Sequence, residues 1–141
     1  MVLLPHTDVG QYGEILQIGE ADALTNAQID PSLVGNKPPV IVILLGCETA
    51  SAKVRYANFV ARFRKANASV VIGTLTPVLG RHAAPVAEAL VERLDKYWDE
   101  AFRATTVGDA MAEVRRQFMA KGLPIGLAVV AFGDADWVVG G

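Results

Sequence analysis

Three apolar stretches punctuate the chain: Val40–Leu45, Val70–Leu75 and Leu127–Phe132. Runs of this length, closed by Gly or Pro, predict strands covered on both faces, as in a sheet packed between helices. Between them the spacing becomes helical. Val54, Ala57, Phe59, Val60 and Phe63 fall on one face, and Lys53, Arg55, Arg62, Arg64 and Lys65 on the other, which predicts a helix from about Ser51 to Lys65. Ala83 to Arg103 carries a second, longer helical pattern rich in Ala, Leu and Val. Thr106 is placed to cap a third through Lys121, stopped by Gly122 and Pro124.

The first thirty residues are patterned differently. Val2–Leu4 is a short strand candidate ending at Pro5-His6-Thr7, Gly10-Gln11-Tyr12-Gly13 a turn, and Glu14–Ile18 a weakly alternating hairpin arm. Thr25–Ile29 predicts a short helical turn capped by Thr25. Strands alternating with helices in this order predict an α/β domain with a mainly parallel sheet, one unit spanning residues 1–141. The first strand has no helix before it, and an uncovered sheet edge is a liability. This points to the later part of a larger domain, or to a partner domain or second copy covering that edge.

Composition narrows the function. Of 141 residues, 52% are apolar and the formal net charge is -2, which excludes a disordered chain. No basic block predicts nucleic acid as a partner. The longest apolar run is too short to cross a membrane, and the start lacks the pattern of a signal peptide. A single cysteine forms no internal disulfide, so a reducing cytoplasm is the expectation. One Cys and two His argue against a zinc site, and neither metal nor cofactor is expected.

The familiar nucleotide loops are missing: no Gly-x-Gly-x-x-Gly follows a strand, and there is no Gly-x-x-x-x-Gly-Lys-Ser/Thr. What remains is Cys47, set where a buried strand stops and a helix begins. It is not a phosphatase cysteine, because the position six residues on is Lys53 rather than a phosphate-gripping arginine. Nor is it in a hydrolase elbow, where Leu45 and Thr49 would both be glycine. In open α/β sheets ligands bind at the carboxyl ends of the strands, and a helix N-terminus nearby favours a thiolate. His6 ends a predicted strand as Cys47 does. If the two strands are parallel neighbours, about 4.8 Å apart, a Cys–His pair comes within reach, the minimum for thiol catalysis. A buried, inert thiol and a turn histidine remain the plain alternatives, and His82, at a predicted helix start, reads as a solvated or capping residue.

The segment Leu44-Leu45-Gly46-Cys47-Glu48-Thr49-Ala50 resembles the strand and Cys-Glu-Thr block of CHAT domains, caspase-like cysteine peptidases related to separases and caspases. Leu3-Leu4-Pro5-His6-Thr7 falls where that family has its histidine-bearing strand. Ile15–Ile29 resembles its intervening hairpin and short helix, and Val70–Val78 and Val130–Asp134 its later strands. The resemblance implies a three-layer caspase-like fold lacking its N-terminal strands, and a cysteine endopeptidase acting on a protein or peptide substrate. His6 would be general base and acid, and Cys47 the nucleophile. The backbone N–H groups of Thr7 and Cys47 would form the oxyanion hole. Thr74, Leu75, Thr76, Pro77 and Val78 would line a substrate groove in which a peptide pairs as an added strand. The chain departs from the family in having Thr7 where glycine is usual after the histidine, and Ala50 where glycine is commoner. Gly80-Arg81-His82 stands where acidic residues are often found. Two other function classes stay open: a non-catalytic scaffold with the same fold, and a flavodoxin-like binder of a small molecule at the strand ends.

Overall fold

The computed structural model describes residues 1–10, 13–18, 22–35, 40–46, 56–76, 78–96, 106–134 and 136. In chain order the elements are β1 (Val2–Leu3), β2 (His6–Gly10), β3 (Gly13–Ile18), β4 (Asp22–Thr25), a 3-10 turn (Asn26–Gln28) and α1 (Pro31–Val34). Then follow β5 (Val40–Leu44), α2 (Tyr56–Lys65), β6 (Ala68–Thr74), α3 (Gly80–Lys96), α4 (Val107–Ala120), α5 (Ile125–Ala128) and β7 (Val129–Gly133).

Four strands form the central sheet in the order β1-β5-β6-β7. β1, β5 and β6 are mutually parallel, and β7 returns antiparallel to β6. The expected mainly parallel α/β sheet is therefore present, with one antiparallel edge. Strand geometry sends successive side chains to opposite faces, and here both faces are buried. Ile43, Leu45, Val70 and Ile72 belong to one core, with Val86 and Leu90 of α3 and Met111, Val114 and Phe118 of α4. Val42, Leu44 and Val71 belong to the other, with Phe59, Val60 and Phe63 of α2. Helices thus sandwich the sheet in three layers. The unbroken apolar runs of β5 and β6 follow from that double burial.

The helices form where the pattern predicts. Ala83, Val86, Ala87 and Leu90 recur at three- and four-residue spacing on α3, and Val107, Ala110, Met111, Val114 and Phe118 on α4, giving each one apolar stripe. Thr106 caps α4: its Oγ1 accepts the Asp109 N–H at 3.1 Å, and Asp109 Oδ2 accepts the Thr106 N–H at 3.1 Å. At the other end Gly122 takes φ +71°, and the Gly122 and Leu123 N–H groups bond Met119 O and Phe118 O at 2.9 Å. That is the left-handed cap glycine allows, and it turns the chain toward Pro124. Arg115 Nη2 donates to Val129 O at 2.6 Å, tying α4 to β7.

Three boundaries differ from expectation. β1 stops at Leu3, and His6 does not end it but opens a new strand, β2, paired antiparallel with β3. Leu127 and Ala128 belong to the one-turn helix α5 rather than to the last strand, which begins at Val129. The described part of α3 begins at Gly80, three residues before Ala83, and ends at Lys96. The expected continuation to Arg103 and the start of α2 near Ser51 lie outside the described residues. The 3-10 turn sits where a capped helical turn was expected, with Gln28 Oε1 accepting the Thr25 N–H at 2.8 Å. The β2-β3-β4 sheet joins the α2-side core through Leu16, and Arg62 Nε fastens α2 to Asn26 O at 3.0 Å.

Candidate active site at the carboxyl ends of the parallel strands

Because β1, β5 and β6 are parallel, their carboxyl ends share one edge of the sheet, where ligands gather in folds of this type. β1 lies directly beside β5, with Val2 level with Ile43 and Leu3 with Leu44. The Leu45 N–H continues the ladder by bonding Leu3 O at 3.1 Å. The strand leading to Cys47 thus has β1 as its parallel neighbour, but His6 does not end β1 as expected; it opens β2, three residues after β1 stops. Gly46, buried, is the last described residue before Cys47, which itself lies outside the described residues. The backbone at His6 is held in the hairpin register opposite Gln17, and that at Thr7 opposite Leu16.

The expected substrate segment divides into two parts. Thr74 is inside the sheet, level with Val129 of β7 and only 4% exposed. Its Oγ1 has no hydrogen-bond partner among the described residues. The Leu75 N–H is engaged by Ala128 O at 2.8 Å, so a peptide adding as a strand cannot use it. Leu75 is 66% exposed. Thr76 and Val78 leave the sheet and face a pocket of about 430 Å³, and Pro77 lies outside the described residues.

That pocket has walls the sequence alone did not bring together. Val78 and Leu79 enclose it from the β6–α3 connection, and Leu123, Pro124 and Ile125 from the segment after α4. Ala128 and the half-buried ring of His82 complete it. The antiparallel return of β7 is the reason: its first residue, Val129, pairs with the last of β6, Thr74, so α5 and the chain before it are delivered to the carboxyl edge. His82, expected to be solvated or capping, sits in the first turn of α3, where Arg81 Nε donates to its Nε2 at 3.3 Å. Its place three residues past the pocket segment, at a helix start following a strand end, was the available signal.

Elsewhere, Arg93 Nη2 and Glu113 Oε1 form an ion pair at 2.6 Å across α3 and α4, in a cleft lined mainly by charged and polar side chains. Among the described residues no group of three or more His, Cys, Asp or Glu side chains is placed to hold a metal ion, and no helix is long and apolar enough to cross a membrane. No family model matches the chain, and no curated protein matches its sequence.

Proposed function

We propose that the protein is a caspase-like cysteine endopeptidase that cleaves protein substrates through a His6–Cys47 dyad. The observation that carries this reading is the register of β1 on β5. β1 runs parallel beside β5 and both end at one edge of the sheet, and His6 opens β2 three residues after β1 ends. In the proposed reaction the His6 imidazole takes the Cys47 thiol proton, and the thiolate attacks the scissile carbonyl carbon. Backbone N–H groups of Cys47 and Thr7 hold the resulting oxyanion. On collapse the C–N bond breaks and His6 returns the proton to the leaving amine. Water, deprotonated by His6, then hydrolyses the thioester and frees Cys47. Nothing in this cycle calls for a metal or cofactor.

The test is cleavage of native and denatured protein substrates by the wild type, Cys47→Ala and His6→Ala, beside iodoacetamide labelling across pH. Loss of cleavage in both variants, with a thiol that reacts well below the reference pKa of about 8.5, is the expected result. Unchanged cleavage in Cys47→Ala would sink the assignment. A second reading, a non-catalytic scaffold, is favoured by the sheet edge. Among the described strands β1 is a two-residue edge, with Val2 in it and Leu4 just after it exposed, and such an edge invites a partner strand. An ordinary thiol titration together with self-association would support it.

A further inference from the structure

Resting on the peptidase reading, we infer that the pocket beside the end of β6 receives the substrate side chain preceding the cleaved bond, and that it selects a large uncharged apolar one: leucine, methionine or phenylalanine. The location follows from the sheet. β6 is the parallel neighbour of β5, the strand that leads to Cys47, and the pocket opens where β6 ends. The selectivity follows from the walls. Val78, Leu79, Leu123, Pro124 and Ile125 are apolar, and a volume of about 430 Å³ leaves room for a large side chain. Leu75 and Leu127, the most exposed large apolar side chains described, continue the apolar surface on the segments beside it.

Charge settles which side chains are refused. Among the described residues no carboxylate lines the pocket. A lysine or arginine side chain entering it would lose water with no counter-ion in return. Arg81, exposed and bonded to His82, adds positive charge beside the pocket and opposes a cation further. An aspartate side chain would leave the apolar walls unfilled. Thr76 and His82 are the polar groups of the lining, suited to the peptide backbone at the mouth rather than to a charged side chain.

Cleavage-site profiling of the full chain on a peptide mixture tests the inference. Cleavage after Leu, Met or Phe should exceed cleavage after Lys or Arg by about 10-fold or more, the discrimination an apolar pocket can deliver. Leu79→Glu and Leu123→Glu should each shift that ratio toward Lys and Arg by a similar factor. A preference for charged residues, or a ratio that neither variant moves, overturns it. A second arm needs no catalysis. Cys47→Ala protein is titrated with blocked tripeptides ending in Leu or Lys while the His82 ring signals are followed by NMR. The Leu peptide should move them at concentrations about 10-fold lower; equal binding, stronger Lys binding or unmoved signals overturn the inference. The two failures are distinct. Cleavage that survives Cys47→Ala removes the dyad and leaves the titration to decide the pocket. Cys47-dependent cleavage without apolar preference removes the pocket assignment alone.

Discussion

Thr74, the last residue of β6, carries a buried hydroxyl, and replacing it by valine isolates what that hydroxyl does. The substitution keeps the branched shape and exchanges one oxygen for a methyl. The residue is 4% exposed, and its Oγ1 has no partner among the described residues. An unsatisfied buried hydroxyl carries a desolvation penalty of about 1–3 kcal/mol, which Thr74→Val removes. Valine also suits an interior strand at least as well as threonine. With an unfolding entropy of about 2 cal/mol/K per residue, a chain of 141 residues gains about 3 °C in Tm for each kcal/mol, so a rise of about 3–10 °C is expected. The assay is urea unfolding followed by circular dichroism, in which the midpoint should rise at unchanged slope, with a thermal scan beside it. Thr74→Ser, which keeps the oxygen and loses the methyl, should instead be destabilised by about 1 kcal/mol. A Thr74→Val protein that is no more stable than wild type would show the hydroxyl to be hydrogen-bonded in solution and refute the reasoning.

Phe63 is fully buried against the sheet, so Phe63→Ala should lose about 3–5 kcal/mol in urea unfolding, a large part of a typical total; a loss under about 1 kcal/mol would mean the α2-side core is not packed as described. Gly133 has φ +130°, and a Cβ there would lie 2.7 Å from Ser69 O, so Gly133→Ala should destabilise by about 1–3 kcal/mol, read as a lower urea midpoint. Acid should weaken the fold through two capping carboxylates. The Ser32 hydroxyl, with the Leu33 N–H, holds Asp30 below its usual range, and the Thr106 N–H and hydroxyl do the same for Asp109. Because the folded pKa values are depressed, their contribution is complete above the unfolded value near 3.8 and lost as pH falls through the folded ones. The midpoint should therefore fall less between pH 5 and pH 2 in Asp30→Ala/Asp109→Ala than in wild type, and an equal fall would count against the caps.

Local physics made most elements legible. β5 and β6 are unbroken apolar runs because both faces are covered, and α4 announces itself by Thr106 at one end and Gly122 at the other. The misjudged boundaries are places where the decisive partner is remote in sequence. His6 begins β2 because its backbone pairs with Gln17 rather than continuing along β5. Leu127 and Ala128 are apolar enough for a strand, yet they close a helical turn because the chain must bend after Gly122 and Pro124 to bring Val129 level with Thr74.

The candidate site divides along the same line. Residue types and spacing nominated His6, Cys47 and the Thr74–Val78 segment, since a nucleophile, a base and a strand end are properties of short stretches. That β1 is the parallel neighbour of β5 was only a condition in the sequence, because strand order depends on which edges meet once the chain folds. The pocket, with His82 and Leu123–Ile125 in its walls, was not foreseeable from any one segment. Those residues are more than forty positions apart, and they meet only because β7 runs back antiparallel along β6. Residue type and local pattern mark which side chains can do chemistry and which stretches must be buried. The tertiary structure alone decided which of them share one edge of the sheet, since long-range pairing is set by the packing of both sheet faces and not by any local pattern.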